Sequence, residues 1–487
     1  MPLYSAGSNS HGQLAHQNQL DAHRFQPCQF TQNDSGQIII VKDVHALAFG
    51  ANHTLALCSY TSTCSNTDKG EVWMVGLWGC GSNQRGQLGP LTRIEKEVMT
   101  SFVPIPLSGL LACVSEQERR QYGIQLAPHA QDSKYSIVSI ACAWQTSFVH
   151  VRPERPDENA ALGRTSDFIL AFGANDWNER GRPSPKILES SPINIIPFNH
   201  NSKSSSLRIT SLVSGPRHVL AIVQESSASG TSTSRVLGWG ASRHGQVGPV
   251  VGASSSSQGG NNFKPPTTLE RPCELHFLDS EQEERSIGSS SHRPVDLAVG
   301  RDHSIVLFQN RIDPSVRYVA LFGSNKQKQI QMRHTPQVGE GSTLVRLDKE
   351  VNQVCASWTS SFFLHHDGTV HSFGSNTKGQ LGRSDSTCEH TSTFSSYATF
   401  PTSTPNVKGV RITFLATGSE HVLAQEGQTG DVWGWGWNEH GNLGLSHTED
   451  VRVPEMVWSA KEKGRVRRIW CGNATSFVLV SQEVLNG

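Results

Sequence analysis

Short apolar runs, each closed by glycine, recur along the whole chain, and two kinds of run alternate. One ends in a small or aromatic residue plus glycine and opens into a polar turn. It reads SAGSNSHGQLA (5–15), GCGSNQRGQLG (79–89), FGANDWNERGR (172–182), WGASRHGQVG (239–248), FGSNKQKQIQ (322–331), FGSNTKGQLG (373–382) and WGWNEHGNLG (435–444). The other is apolar on both sides of a short turn, usually Gly-x-x-His. It reads LAFGANHTLAL (47–57), IACAWQTSFVHV (140–151), LVSGPRHVLAIV (212–223), LAVGRDHSIVLF (297–308), VCASWTSSFFLH (354–365), LATGSEHVLAQ (415–425) and IWCGNATSFVLV (469–480). Each motif occurs seven times, in strict alternation.

Val/Ile/Leu/Phe runs bounded by Gly and Asn predict buried strands, and the glycines supply positive φ at the turns. A four-stranded unit that buries both faces against its neighbours is a propeller blade. Closely packed copies are about 50 residues apart, within the range of known propeller repeats. The pattern therefore predicts an all-β, seven-bladed propeller, with the first and last motifs sharing one blade that closes the ring. In DVWGWGWNEHGNLG (431–444), Trp433, Trp435 and Trp437 share one face of a strand by period two, and Gly434 and Gly436 lie on the other, open to a neighbouring blade.

Tracing one blade places both kinds of short turn on one face. The longer connections, 90–136, 152–167, 183–206, 224–235, 249–294, 310–317, 384–409 and 445–466, are expected on the opposite face. Residues 250–292 carry GASSSSQGGNN and DSEQEERS, compositions too polar to bury a core, and are expected to form one disordered insertion within a single-domain propeller. A short helix is expected within 115–126.

Lys+Arg and Asp+Glu number 42 each, so the basic excess of a general nucleic-acid binder is missing. The N-terminus carries no charged-then-apolar leader, and no apolar run approaches the roughly 20 residues that span a bilayer. Ten cysteines contain no C-x-x-C pair. Cys142, Cys355 and Cys471 sit in apolar runs and read as buried reduced thiols, which points to the cytoplasm or nucleus. Neither a Gly-x-Ser-x-Gly elbow, a P-loop nor a His-Glu-x-x-His helix is present. A binding protein without catalysis or cofactor is the expectation.

Candidate binding residues lie in the turns. Trp144, Trp177, Trp358 and Trp437 are large aromatics at positions with little core to enter, and aromatic anchors are enriched at interfaces. Turn positions His53, His218, His303 and His421 alternate with Thr146, Ser360 and Thr475. Because these belong to separate blades, each His is expected to bond backbone in its own turn and not to bind metal. His365–His366, a lone pair ending a strand, is likewise given no metal role.

The paired motifs resemble the regulator-of-chromosome-condensation repeat family over almost the whole chain. ACAWQTSFV, CASWTSSFF, LATGSEH, WGWNEHGNLG and the terminal NATSFVLV look like its branch of fungal α-tubulin-suppressor, or killer-toxin-insensitivity, propellers. That resemblance implies pairing with a small CSL-type zinc/iron-binding protein, in support of diphthamide synthesis and of Elongator-dependent modification of the tRNA wobble uridine. It implies neither direct nucleic-acid binding nor a membrane. With the blade trace it predicts Trp144, Trp358 and Trp437 as anchors and Glu420, Glu439 and His440 as polar contacts. The family's Ran-type nucleotide-exchange branch is the alternative; its founder's basic N-terminal tail has no counterpart before the first repeat, near residue 3. The plant ultraviolet-receptor branch clusters Trp at the Gly-x-x-His turns, where this chain has only Trp144 and Trp358.

Overall fold

The computed structural model describes residues 2–31, 39–62, 73–90, 97–126, 134–154, 166–183, 191–198, 206–227, 230–248, 250, 266–279, 291–330, 342–384, 397–400 and 409–481. They form seven sheets around one axis, antiparallel except for one parallel outer pair in blade 4. From the axis outward, blade 1 contains Ile39–Phe49, His53–Ser62, Met74–Ser82 and Val98–Ile105. Blades 2 to 6 begin with innermost strands Tyr135–Cys142, Ser206–Ser214, His292–Val299, Val351–Ala356 and Ile412–Thr417. Blade 7 runs Val466–Cys471, Thr475–Val480, Leu3–Gly7, Ala22–Pro27, so chain start and chain end pair in one sheet. The closing register aligns Leu3 with Leu479 and Gly7 with Thr475.

One glycine explains much of the repeat. Gly7, Gly81, Gly173, Gly240, Gly323, Gly374 and Gly436 end the third strand of successive blades, all at φ between 95° and 124°. A Cβ at any of them comes within 2.1 to 2.6 Å of the carbonyl oxygen of the residue before the second strand of the same blade. Only glycine lets the two short turns of a blade close on each other. A second glycine, two residues earlier in three blades, serves the Gly-Gln-Leu-Gly end of the same motif. At Gly79, Gly238 and Gly434 a Cβ meets Leu88 or Leu443 at 2.9 or 3.0 Å, or Val247 at 2.6 Å. The apolar residue of Gly-Gln-Leu-Gly folds over its own third strand, so the close approach expected from a neighbouring blade comes from within the blade.

The turn histidines join blades. Nε2 of His53, His218, His303 and His421 lies 3.0, 2.8, 3.0 and 3.1 Å from the hydroxyl of Ser147, Ser304, Ser361 and Ser476, each in the next blade. Three of these serines donate onward to the carbonyls of Gln87, Gln246 and Gln329. A serine that donates must accept from His, which fixes the proton on Nε2 in those relays. Burial pushes His53 and His303 down to about 3 and His218 and His421 to about 4, so all four rings are neutral. Where the preceding blade has no turn histidine, a tryptophan or a threonine takes over. Trp239 Nε1 donates to Glu179 O at 2.7 Å, Trp435 Nε1 to Gln380 O at 2.9 Å, and the Thr54 hydroxyl to Gln13 O at 2.9 Å. The expectation that each histidine bonds backbone in its own turn is thus corrected: the bond reaches the next blade.

The expected placement of long connections on the opposite face holds for those joining second to third strands, within 152–167, 224–235 and 310–317, and is corrected for those joining third to outer strands. Ser82 pairs with Val98, Ala241 with Thr268 and Gly436 with Val451. The outer strand runs antiparallel to the third, so a connection between them leaves and returns at the same end. Connections 83–97, 242–267 and 437–450 therefore have both ends on the tight-turn side. The span 250–292 is not one insertion. Thr268–Glu274 is the outer strand of blade 3, and Phe277–Asp279 pairs in parallel with Ser342–Arg346 of blade 4. Residues 251–265 and 280–290 of that span lie outside the described residues. The helix expected within 115–126 is Glu116–Gln121, capped by the Ser115 hydroxyl and preceded by a second helix, Leu107–Ala112.

Candidate partner-binding face

The tight turns beside the axis are laced together by backbone. Ala51 N–H donates to Trp144 O (2.7 Å), Trp144 N–H to Pro216 O (2.9 Å), Arg301 N–H to Trp358 O (3.2 Å), Trp358 N–H to Ser419 O (2.8 Å) and Ser419 N–H to Gly472 O (3.2 Å). The Asn473 amide then donates to Gly50 O at 2.8 Å. This lacing is interrupted between Pro216 and Arg301, because proline has no N–H to give.

Trp144 belongs to blade 2 and Trp358 to blade 5, as far apart as seven blades allow. Their ring centroids are nevertheless 5.9 Å apart, tilted by 40°. Both rings must therefore lean over the axis. They line the mouth of an axial cavity of about 260 Å³, walled by the ends of the innermost strands. Trp144 is 42% exposed.

From Trp358 a continuous band runs outward. The neighbouring Thr359 hydroxyl lies 2.9 Å from both carboxylate oxygens of Glu420 in blade 6, and Gln380 Nε2 donates to the same carboxylate at 2.9 Å. Glu420 O accepts the Trp437 N–H at 2.9 Å. The Trp437 indole donates to Glu439 at 3.0 Å and sits edge-on to His440, centroids 5.4 Å apart. His440 Nδ1 lies 2.7 Å from Asp21 of blade 7. All six residues singled out from sequence thus lie in one band from axis to rim. Trp437 is half-buried, Glu439 is exposed, and Glu420 is held between blades 5 and 6 rather than standing free.

Burial raises the Glu420 carboxyl from 4.5 to about 7, against the opposing hydrogen bonds from Thr359 and Gln380. The folded protein holds this proton more tightly than the unfolded chain, so the stability of the fold falls as pH rises from 4.5 to about 7. Glu420→Gln keeps both hydrogen bonds and removes the titration. Its melting temperature should vary less with pH across that window than that of the parent; parallel profiles would contradict the assignment.

Sequence reasoning missed other members of this face. Arg217 stacks its guanidinium 4.7 Å over Trp177, covering a tryptophan expected to stand open. Asp21 both fixes His440 and accepts the Asn9 N–H at 2.8 Å. Its signal was an aspartate twelve residues after the turn Asn, which recurs as Asp450 on Asn438. Among the described residues no group of three His, Cys, Asp or Glu side chains could hold a metal ion.

Comparison with known proteins bears on the repeat. The family model described as "Regulator of chromosome condensation (RCC1) repeat" matches residues 3–57, 367–425 and 429–479. The bovine secretion-regulating guanine nucleotide exchange factor is 26% identical over 468 residues, covering 93% of this chain and 78% of that protein. The Arabidopsis thaliana ultraviolet-B receptor is 27% identical over 259 residues, and the match spans 53% of this chain and 50% of the receptor. Among solved structures, human WBSCR16 superposes with a TM-score of 0.63 at 15% identity, over 99% of this chain and all of that one. Prp20p from Saccharomyces cerevisiae, described with its binding to Gsp1p and histones, gives 0.60 at 18% identity, over 99% and 92%. At these identities the structural matches establish the fold.

Proposed function

The chain belongs to the regulator-of-chromosome-condensation repeat family, and from that premise we propose that it is a non-catalytic propeller that binds another protein through its tight-turn face. The observation that carries this reading is the continuity of the band from Trp144 and Trp358 over the axis to Trp437, Glu439 and His440 at the rim. Two aromatic sites with polar groups between and beyond them match the anchor-and-rim composition of protein interfaces. Non-catalysis is supported by the use already made of the recurrent residues: the turn histidines and glycines hold blades and turns together.

The partner we propose is a small CSL-type zinc/iron-binding protein, forming a heterodimer in the cytoplasm or nucleus. The pair would serve diphthamide synthesis on the elongation factor and Elongator-dependent wobble-uridine modification of tRNA, without direct nucleic-acid contact by this chain. The motifs ACAWQTSFV and WGWNEHGNLG support it, and they form the two ends of the band. A second reading, guanine nucleotide exchange on a Ran-type GTPase, is favoured by the bovine exchange factor, whose similarity extends over 93% of the chain. The two separate in one experiment with purified components. Titration with a CSL-type protein should give a saturable 1:1 complex, and nucleotide release from a Ran-type GTPase should not accelerate. The opposite pair of results would overturn the first reading in favour of the second.

A further inference from the structure

The roofed axial cavity offers chemistry that a protein-docking face does not need. Each innermost strand ends the strand order of its sheet, so it is paired on one side only. Its other backbone edge faces the axis. Side chains of neighbouring blades already take part of these edges, with Asp167 on Ile209 N–H, Asp296 on Val354 N–H, Gln353 on Leu415 N–H and Thr417 on Ala356 O, and the remaining N–H and C=O groups at the strand ends are open to the cavity. None of the side chains lining it is a carboxylate, an amine, a guanidinium or an imidazole. Cys142 and Cys471 are part of the wall, and burial pushes both thiols up to about 12, so they stay neutral. Ser214, Ser357, Thr417 and Ser419 add hydroxyls; Ser214 and Thr417 already donate to main-chain carbonyls, Ser419 accepts from Ala474 N–H, and the buried Ser357 hydroxyl has no partner among the described residues. The wall is thus uncharged and mixed: apolar side chains such as Leu47, Ile140, Leu212 and Val299 alternate with main-chain and hydroxyl donors and acceptors.

The roof is different in kind. At the ring position where blades 2 and 5 carry Trp144 and Trp358, the other blades carry Ala51, Pro216, Arg301, Ser419 and Asn473. The backbones of both tryptophans are pinned by the hydrogen bonds to neighbouring turns, so only the side chains are free to swing. Two indoles meeting over the axis form a hinged lid whose inner surface is flat and aromatic.

We infer that this axial cavity is a binding site for one small, uncharged, planar heteroaromatic molecule bearing both hydrogen-bond donors and acceptors, admitted by rotation of Trp144 and Trp358. The wall supplies edge-on hydrogen bonds and the lid supplies a stacking face. A charged ligand is disfavoured because no lining side chain carries an opposite charge to neutralise it. At about 260 Å³ the space is smaller than the roughly 300–1,000 Å³ of drug-sized pockets, which fits a molecule of one or two rings. This inference does not depend on which protein, if any, docks on the face.

The test uses the full chain and three near-isosteric probes: neutral nicotinamide, anionic nicotinate and the N-methylnicotinamide cation. Saturation-transfer NMR and calorimetry should find one saturable site for nicotinamide, with affinity at least about tenfold above either charged probe. Two variants locate it. Val299→Phe fills the cavity from the wall, and Trp144→Ala removes half the lid at an exposed position that folding tolerates. Each should weaken nicotinamide at least about fivefold, roughly 1 kcal/mol. Failure to saturate up to the probe's solubility, equal binding of all three probes, or an unchanged affinity in Trp144→Ala would each overturn the inference.

Discussion

Removal of residues 466–487 should abolish cooperative folding. That segment supplies Val466–Cys471 and Thr475–Val480, the two inner strands of blade 7. Ile469, Phe477, Val478 and Leu479 are fully buried there, and Phe477 packs on Phe49 of blade 1 with ring centroids 5.2 Å apart. Burying each such side chain stabilises by about 1.5–3 kcal/mol, so these four alone rival the roughly 5–15 kcal/mol net stability of a typical domain. The deletion also leaves Leu3–Gly7 with an unpaired edge and opens the faces of blades 6 and 1 to solvent, an invitation to aggregation. Scanning calorimetry and size-exclusion chromatography on the truncated chain check this. A monomer that melts cooperatively within a few degrees of the parent would mean that the ring does not depend on this closure.

The largest single-residue effect is expected at Asp167→Ala, between blades 2 and 3. The Asp167 carboxylate is fully buried. It accepts from Arg152 Nε and Nη2 (3.0 and 2.9 Å), Arg208 Nη1 (2.8 Å) and the Ile209 N–H (3.0 Å), and lies 3.0 Å from His150 Nε2. Burial alone would raise this carboxyl, but the hydrogen bonds from His150, Arg152 and Ile209 outweigh it and hold the group well below the usual carboxylate range. Truncation leaves two guanidiniums facing an empty site. Breaking a buried pair costs about 3–5 kcal/mol, and because both arginines are over one-third exposed, the low end, about 3 kcal/mol, is expected. Since the folded form releases this proton more readily than the unfolded chain, the stabilisation is full above the ordinary Asp value near 4 and is lost as pH falls below it. Urea titrations at pH 7 and in mild acid should show a wide gap between parent and variant at pH 7 that narrows in acid. A constant gap would mean that the loss is one of packing and not of charge.

The fold was legible because its signal is written seven times. Any one glycine after a small or aromatic residue says little, but seven at the same place in the motif demand a common backbone need, and the clash with the opposing turn carbonyl supplies it. The histidine relays were legible in principle. Ser147, Ser304, Ser361 and Ser476 each follow a blade whose turn carries His, whereas Val219 and Val422 follow blades whose turn carries Thr or Ser. Reading each copy separately hid that correlation between neighbours. The placement of connections between third and outer strands was not legible from the turns, because it depends on the direction of the outer strand, which the repeated motifs do not include. The meeting of Trp144 and Trp358 was beyond sequence reasoning. It depends on how two side chains from distant blades lean over the axis, which no local pattern encodes.

The most direct test of the proposed binding face separates stability from affinity. Trp144, Trp358 and Trp437 are each changed to Ala, and melting temperature and affinity for a purified CSL-type protein are measured independently on every variant. Truncating an aromatic hot spot typically costs about 2 kcal/mol or more, roughly 30-fold in Kd. The account predicts that loss for at least Trp358→Ala and Trp437→Ala, the two ends of the Glu420 bridge, with melting temperatures close to the parent. Affinities within about threefold of the parent for all three variants, roughly 0.65 kcal/mol, alongside lowered melting temperatures, would contradict it: the tryptophans would then be caps on the blades, and the partner would dock elsewhere.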